Sequence, residues 1–280
     1  MACADCFKGV LNEGTPKGTI KKVYGVDTYV ASPPNGARPT GVIVIIPDAF
    51  GWDLNNNRIL ADNYAEMGGF LVHLPDFMNG KSADPIVFGY MDHITTPGIA
   101  ATVTKPYYAV LALSHFIPFR RQNGPDVAWP RILSFMRALR ADPEVSDLSI
   151  GAAGFCWGGP FTFWLCGDKE KAEDGRSLID AGFTAHPSNL KLPADAEGLT
   201  KPMSVAQGSN DIVVNSKAIS QIETTLKKSP MHEVVIYEGA KHGFAVRAPP
   251  KDEKSSKQGF EATQQAVNFF TKHFKKPAKL

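Results

Sequence analysis

The sequence predicts an α/β protein, a mostly parallel, doubly wound sheet flanked by helices. Three observations carry that prediction. Residues 42–46 read Val-Ile-Val-Ile-Ile, a continuous β-branched run of the kind buried on both faces of a parallel sheet. Short apolar runs then alternate with stretches of helical spacing toward the C-terminus. Several of those runs end in Gly-rich or acidic loops, and ligands of such sheets sit beyond the carboxyl ends of the strands.

Each element follows in order. An N-terminal strand pair is expected at 20–24 and 27–31, with a turn at 36–40 before the buried run at 42–46. Ile59, Leu60, Tyr64 and Met67 mark a helix over 55–67, stopped by Gly68-Gly69, and the next strand spans 70–74. The stretch 77–106 is rich in Pro, Gly and Thr with weak periodicity, and reads as a loop-rich excursion over the site. Helical patterns follow at 107–116 and 127–140, then a strand at 148–153 and a helix at 157–166. Strands are expected at 178–184, 203–207 and 233–237, with helices at 216–227 and 260–274.

The 280 residues are 43% hydrophobic and 21% charged, enough apolar material for one large domain over 1–280 and too much for a disordered chain. Lys and Arg number 30 against 28 Asp and Glu, which leaves no electrostatic footprint for nucleic acid. No apolar run approaches the roughly 20 residues of a membrane span. The N-terminal residues show no basic leader followed by an apolar stretch, so no standard secretion signal is expected and the cytosol is the default. Cys3 and Cys6 form a CxxC without a second ligand pair, and read as structural or incidental.

The chemistry gathers at strand ends. Gly154-Phe155-Cys156-Trp157-Gly158-Gly159 lies between a predicted strand and a predicted helix, a G-x-nucleophile-x-G turn with Cys as nucleophile. Such a turn lifts the side chain above the sheet at a helix N-terminus, where the dipole favours a thiolate. It also brings the Trp157 backbone N–H beside a developing oxyanion. Taken alone, the hexapeptide would serve equally for a buried Cys in a Gly-rich turn. Two later loops decide it: Gly208-Ser209-Asn210-Asp211 after one strand, and Lys241-His242-Gly243 after the next. Nucleophile, acid and histidine thus occur in the chain order of the α/β-hydrolase triad.

A fourth loop, Pro47-Asp48-Ala49-Phe50-Gly51, follows the buried run, and Ala49 is the candidate for the second oxyanion N–H. Asp48 is less expected there, since a carboxylate disfavours a nearby oxyanion unless a cation or the resting thiol engages it. His73, His93, His115, His186 and His273 share no metal-like spacing and read as structural, and no metal or cofactor is expected. His186 follows a strand and is the one of these that could line a pocket. Phe77, Met78, Phe88, Tyr90 and Met91 could form an apolar cap over the site or equally be core residues of an irregular loop. Cys166, inside the helix after the elbow, reads as packing.

On these motifs the chain resembles the dienelactone hydrolase family, from the Gly18 region to the C-terminal helix. The Pro-Asp-Ala-Phe-Gly loop, Gly-Phe-Cys-Trp-Gly-Gly, Asn210-Asp211 and His242-Gly243-Phe244 carry the resemblance, and the N-terminal Cys-x-x-Cys-Phe-x-Gly is similar to the fungal-type branch. It implies hydrolysis of a small lactone or ester by Cys156, His242 and Asp211. It further implies that Asp48, in the family's acidic position, engages the resting thiol together with Arg247. Phe77, Met78 and Asn79 stand where bacterial members carry a second substrate-binding arginine. Phe50, Met78 and His186 complete the expected substrate-binding set. A monomer or homodimer is expected. The rival readings are a hydrolase-fold acyltransferase, a carbon–carbon bond hydrolase, and a non-catalytic binding protein.

Overall fold

The computed structural model describes residues 14–95, 98–249 and 252–275. Cys3 and Cys6 lie outside them. Eight strands form one sheet: β1 (Thr19–Val23), β2 (Val26–Ala31), β3 (Val42–Ile46), β4 (Leu71–Pro75), β5 (Ile150–Phe155), β6 (Ala181–Ala185), β7 (Met203–Gly208) and β8 (Glu233–Tyr237). Their order is β1-β2-β4-β3-β5-β6-β7-β8. β1 and β2 pair antiparallel, as do β2 and β4, and every other pairing is parallel.

The helices are α1 (Asn55–Gly68), α2 (Ile86–Thr95), α3 (Ile99–Gln122), α4 (Pro125–Ala141), α5 (Gly159–Cys166), α6 (Ser216–Leu226), α7 (Phe244–Arg247) and α8 (Glu253–His273). β3 shows why the sheet needs helices on both sides. Its side chains alternate between faces, as strand geometry requires. Ile43 and Ile45 enter a core shared with α1 and α8, while Val42, Val44 and Ile46 enter one shared with α4, α5 and α6. All five are fully buried.

Small residues on β5 (Ile-Gly-Ala-Ala-Gly-Phe) let helices approach the sheet closely. A Cβ added at Gly151 would lie 2.6 Å from the Phe270 ring of α8 and 2.9 Å from Ile43. Polar caps fix two helix starts: the Asn215 side chain accepts from the Ala218 N–H, and Asp252 from that of Ser255.

The structure corrects the reading of 77–106 as a loop-rich excursion. Much of it is helical, in α2 and the first part of α3. Tertiary packing overrides local propensity here. Val87 and Met91 of α2 are buried in the core despite Gly89 in the helix, and α3 runs through Pro106 and Pro118. Its apolar residues surround the helix rather than forming a stripe, so no period of 3.6 stands out. Phe77 and Met78 are core residues. α8 begins at Glu253, seven residues before the expected start at 260, because its first turns are polar and only the Asp252 cap announces them.

Gly151→Ala should therefore destabilise the fold by about 1–3 kcal/mol, the usual cost of overpacking a core. Urea unfolding would register this as a lower midpoint at unchanged slope. An unchanged midpoint would mean that Phe270 can swing aside.

Candidate active site

β5 ends at Phe155, a short 3-10 turn covers Cys156–Gly158, and α5 begins at once. Cys156 sits at the bend with φ +49°, a region that L-residues visit at a cost of about 1–3 kcal/mol. The turn is tight enough to dictate its neighbours. A Cβ at Gly154 would collide with the Thr162 hydroxyl and the Gly158 carbonyl, and one at Gly158 with the Ile46 carbonyl. The Cys156 carbonyl accepts from the Ser188 N–H at 2.9 Å, and its sulfur lies 3.9 Å from the Ser188 hydroxyl.

Asp211 follows β7 and His242 follows β8, each in the loop beyond the strand's carboxyl end. His242 Nδ1 lies 2.9 Å from Asp211 Oδ2 and 3.1 Å from Oδ1. The same carboxylate accepts from Gln207 Nε2 at 3.0 Å and from the Val213 N–H at 2.8 Å. Burial would raise the Asp211 carboxyl, but the hydrogen bond and charge of His242, with Gln207 and Val213, hold it below its ordinary value. Burial likewise opposes the His242 imidazolium. The charge and hydrogen bonding of Cys156 and Asp211 overcome it, and the ring is pushed up to about 10. His242 Nε2 has no nitrogen or oxygen partner among the described residues. That leaves the ring held by a carboxylate on one side and answering to a sulfur.

Asp48 and Arg247 form a buried ion pair across the sheet ends. Asp48 also accepts from Asn57 Nδ2 at 3.0 Å and from the Phe50 N–H at 3.2 Å. Burial raises its carboxyl and the Arg247 charge lowers it, while the charge of Cys156 raises it further. The Arg247 guanidinium stands 5.2 Å from the Phe50 ring centroid and 6.0 Å from that of Phe88. α7 delivers Arg247 through Gly243, whose φ of +87° suits glycine, and a Cβ there would strike the guanidinium.

A cavity of about 290 Å³ opens over the elbow, bordered by Cys156, Ala49 and Trp157 and by aromatic residues of α3 and α5. Of the residues expected to bind substrate or gate the thiol, Asp48, Phe50, Met78, His186 and Arg247 are all absent from its lining. Met78 is buried in the core and Phe50 is spent on Arg247 and on Phe88, whose ring centroid is 4.3 Å away. These two, with His186, do not border this cavity. Of the two readings left open for the segment's apolar residues, the core one fits Phe77, Met78 and Met91, with Phe88 packed against them, while Phe116 and Phe119 of α3 line the cavity.

His186 is fully buried with its ring edge-to-face on His242, centroids 5.0 Å apart. Neither of its ring nitrogens has a partner among the described residues. Burial, then the charges of His242 and Arg247, hold it neutral, well below the ordinary histidine range. Sequence reasoning missed Gln207, Ser188 and Asn57; of these only Ser188 meets its partner, Cys156, across a long stretch of chain. Gln207, as the fourth residue before Asp211 at a strand's end, carried the one readable signal.

A mostly parallel sheet, a strained strand-to-helix elbow, and an acid and a histidine beyond two later strands define an α/β-hydrolase. The chain belongs to the dienelactone hydrolase family, whose sequence model matches residues 26–274. It is 26% identical over 275 residues to hydrolase tropI of Talaromyces stipitatus, with 96% of both chains covered. To dienlactone hydrolase 1 of Gibberella moniliformis it is 26% identical over 245 residues, covering 86% of this chain and 82% of that one. The crystal structure of dienelactone hydrolase from Anabaena variabilis superposes with a TM-score of 0.59 at 14% identity, covering 92% of this chain and 98% of that one, a likeness of fold. The protein is an ester- and lactone-cleaving hydrolase by family.

The raised His242 predicts how the thiol titrates. An ordinary thiol loses thiolate tenfold for each unit below about pH 8.5. With His242 protonated up to about 10, Cys156 should stay thiolate at neutral pH and below. Iodoacetamide should therefore label Cys156 at a nearly level rate from mildly acidic pH to about 10, read by peptide mass spectrometry. Cys166, whose buried thiol is pushed well up, should remain unlabelled. A tenfold fall per unit on acidification would rule out the ion pair.

Proposed function

We propose that the enzyme opens a lactone or cleaves a small activated ester through a thioester on Cys156. The observation that carries this reading is the buried line from Cys156 through His242 to Asp211, with the imidazole raised by both partners. The thiolate attacks the carbonyl carbon, and its electron pair moves onto the oxygen. The N–H groups of Trp157 and Ala49, residues that border the cavity with Cys156, hold that oxyanion. One such donor is typically worth about 2.7–4 kcal/mol of barrier.

As the intermediate collapses, the C–O bond breaks and the His242 imidazolium protonates the leaving oxygen. Water then gives a proton to His242 Nε2 and attacks the thioester carbonyl. The C–S bond breaks, the acid leaves, and the thiolate–imidazolium pair returns. Asp211 orients the ring and stabilises its charged form throughout. Thiolate leaves far more readily than an amine. An amide's tetrahedral intermediate would therefore revert, and this favours lactones and activated esters over peptides.

Asp48 and Arg247 bias the resting thiol. The Asp48 charge stands against a thiolate, and Arg247 offsets it from the other side. No cofactor enters this sequence, and a cytoplasmic location is part of the proposal. Among the described residues, no helix is long and apolar enough to cross a membrane.

Cys156→Ala should lower turnover of an aryl ester or an unsaturated lactone by at least about a thousandfold, as loss of a triad nucleophile does. Intact mass of the wild type, quenched during turnover, should show an acyl adduct absent from the variant. In oxygen-labelled water the product acid should carry label, whereas acyl transfer to another acceptor would leave it unlabelled. Activity retained by the alanine variant would remove Cys156 from the chemistry.

A further inference from the structure

We propose that the outer face of α3 is a homodimer interface, on which a second copy of this chain packs its own α3 antiparallel about a two-fold axis at Val110. This face lies on the side of α3 turned away from the cavity, and its role does not depend on the hydrolase reading above.

A helix on a protein surface normally turns a polar side to water, and α3 turns an apolar one. Its inner side packs Ala112, Phe116 and Phe119 against the core, and the two phenylalanines line the cavity. On its outer side Val103, Tyr107, Val110, Leu113 and Ile117 are 76, 63, 65, 47 and 47% exposed. At about 100° per residue these five fall within roughly a third of the helix circumference, opposite the inner three. The other exposed residues between 103 and 118 are Thr, Ser and Pro, so the face carries no charge along that length. Ser114, near its centre, spends its hydroxyl on the Leu111 carbonyl at 2.7 Å. A helix that is apolar all round belongs in an interior, here one that a single copy does not provide.

Area, symmetry and charge select the occupant. The exposed fractions of the five side chains amount to roughly 600 Å² per copy, so a pair buries roughly 1,200 Å², the lower end of the range for stable interfaces. A contiguous patch of that size is at the upper limit for a monomer. The spacing is symmetric: Val103 and Ile117 lie seven residues either side of Val110, and Tyr107 and Leu113 three. A two-fold axis at Val110 therefore lays the stripe on itself. Val110 meets the partner's Val110, Tyr107 the partner's Leu113, and Val103 the partner's Ile117, as a closed isologous pair requires. Arg120 and Arg121 are exposed just beyond the stripe. Antiparallel pairing holds the arginines of the two copies about 30 Å apart along the helices, whereas parallel pairing would set all four side by side. The same contact braces the helix that supplies Phe116 and Phe119 to the cavity.

Analytical ultracentrifugation of the full-length wild type should give twice the chain mass at tens of micromolar. Val110→Glu and Val110→Lys each set like charges face to face at the axis. Each should weaken self-association by at least about a hundredfold, with the far-UV circular dichroism unchanged. Mixed in equal amounts, the two variants should regain the dimer as a heterodimer, which neither misfolding nor a different partner would produce. Separately, Val110→Cys should cross-link to its own copy under mild oxidation, mapped by non-reducing peptide mass spectrometry. Phe260→Cys, equally exposed but on α8, should not. A monomeric wild type would overturn the proposal, as would a dimer that both charged variants keep, or a mixture that stays monomeric. A monomer that binds phosphatidylcholine vesicles, and loses that binding in both charged variants, would overturn it in favour of a lipid surface.

Discussion

The site depends on how tightly the strand-to-helix elbow is wedged against the neighbouring strand. A side chain at Gly158 would fall on the carbonyl of Ile46, the last residue of β3, so the absence of one is what lets the turn that carries Cys156 approach the loop that carries Ala49. The left-handed φ at Cys156 is the conformational cost of that contact. It is repaid by position. Cys156, one candidate oxyanion donor from its own turn and another from the adjoining loop border a single cavity.

Inside this frame two buried acids do opposite things. Asp211 has its oxygens filled by His242, Gln207 and backbone N–H groups, so its charge is cheap to keep and is directed at one imidazole. Asp48 has a guanidinium on one side and a sulfur on the other, so its charge balances between them. In a dry site neither pair can be altered alone, because an uncompensated buried charge costs several kcal/mol. The charge around Cys156 is therefore shaped by four groups, Asp48, Asp211 and His242 from three loops and Arg247 from α7. That coupling explains why Arg247, though outside the cavity, is packed between Phe50 and Phe88 as firmly as a core residue.

Much of this was legible in the sequence because its signals are local. A five-residue β-branched run can hardly be anything but a buried strand, and the glycines around Cys156 announce a tight turn. Arg247 as the partner of Asp48 came from the family resemblance rather than from any local signal, since 199 residues separate the two. What was not legible depends on packing between distant segments. The composition of 77–106 suggested irregular chain, yet α2 and α3 are stabilised by contacts with each other and with the core rather than by propensity. Spacing likewise could not show which way a loop side chain turns. Met78, Phe50 and His186 follow strands, where lining residues belong, but they do not border the cavity, and part of the lining comes from α3, whose position no local pattern foretells.

His186 shows how that buried layer serves the surface above it. Two imidazoles meet edge to face, and a proton could in principle reside on either. Of the two rings Asp211 hydrogen-bonds only that of His242, while His186 faces two positive neighbours. The proton is therefore confined to the ring that faces the sulfur. Two buried ring nitrogens without partners among the described residues are an expensive way to fill space, since each unsatisfied group costs about 1–3 kcal/mol. A phenyl ring would fill it with no such penalty. The imidazole makes sense as a polarisable backing that burial holds neutral, with the charges of His242 and Arg247 adding to that effect.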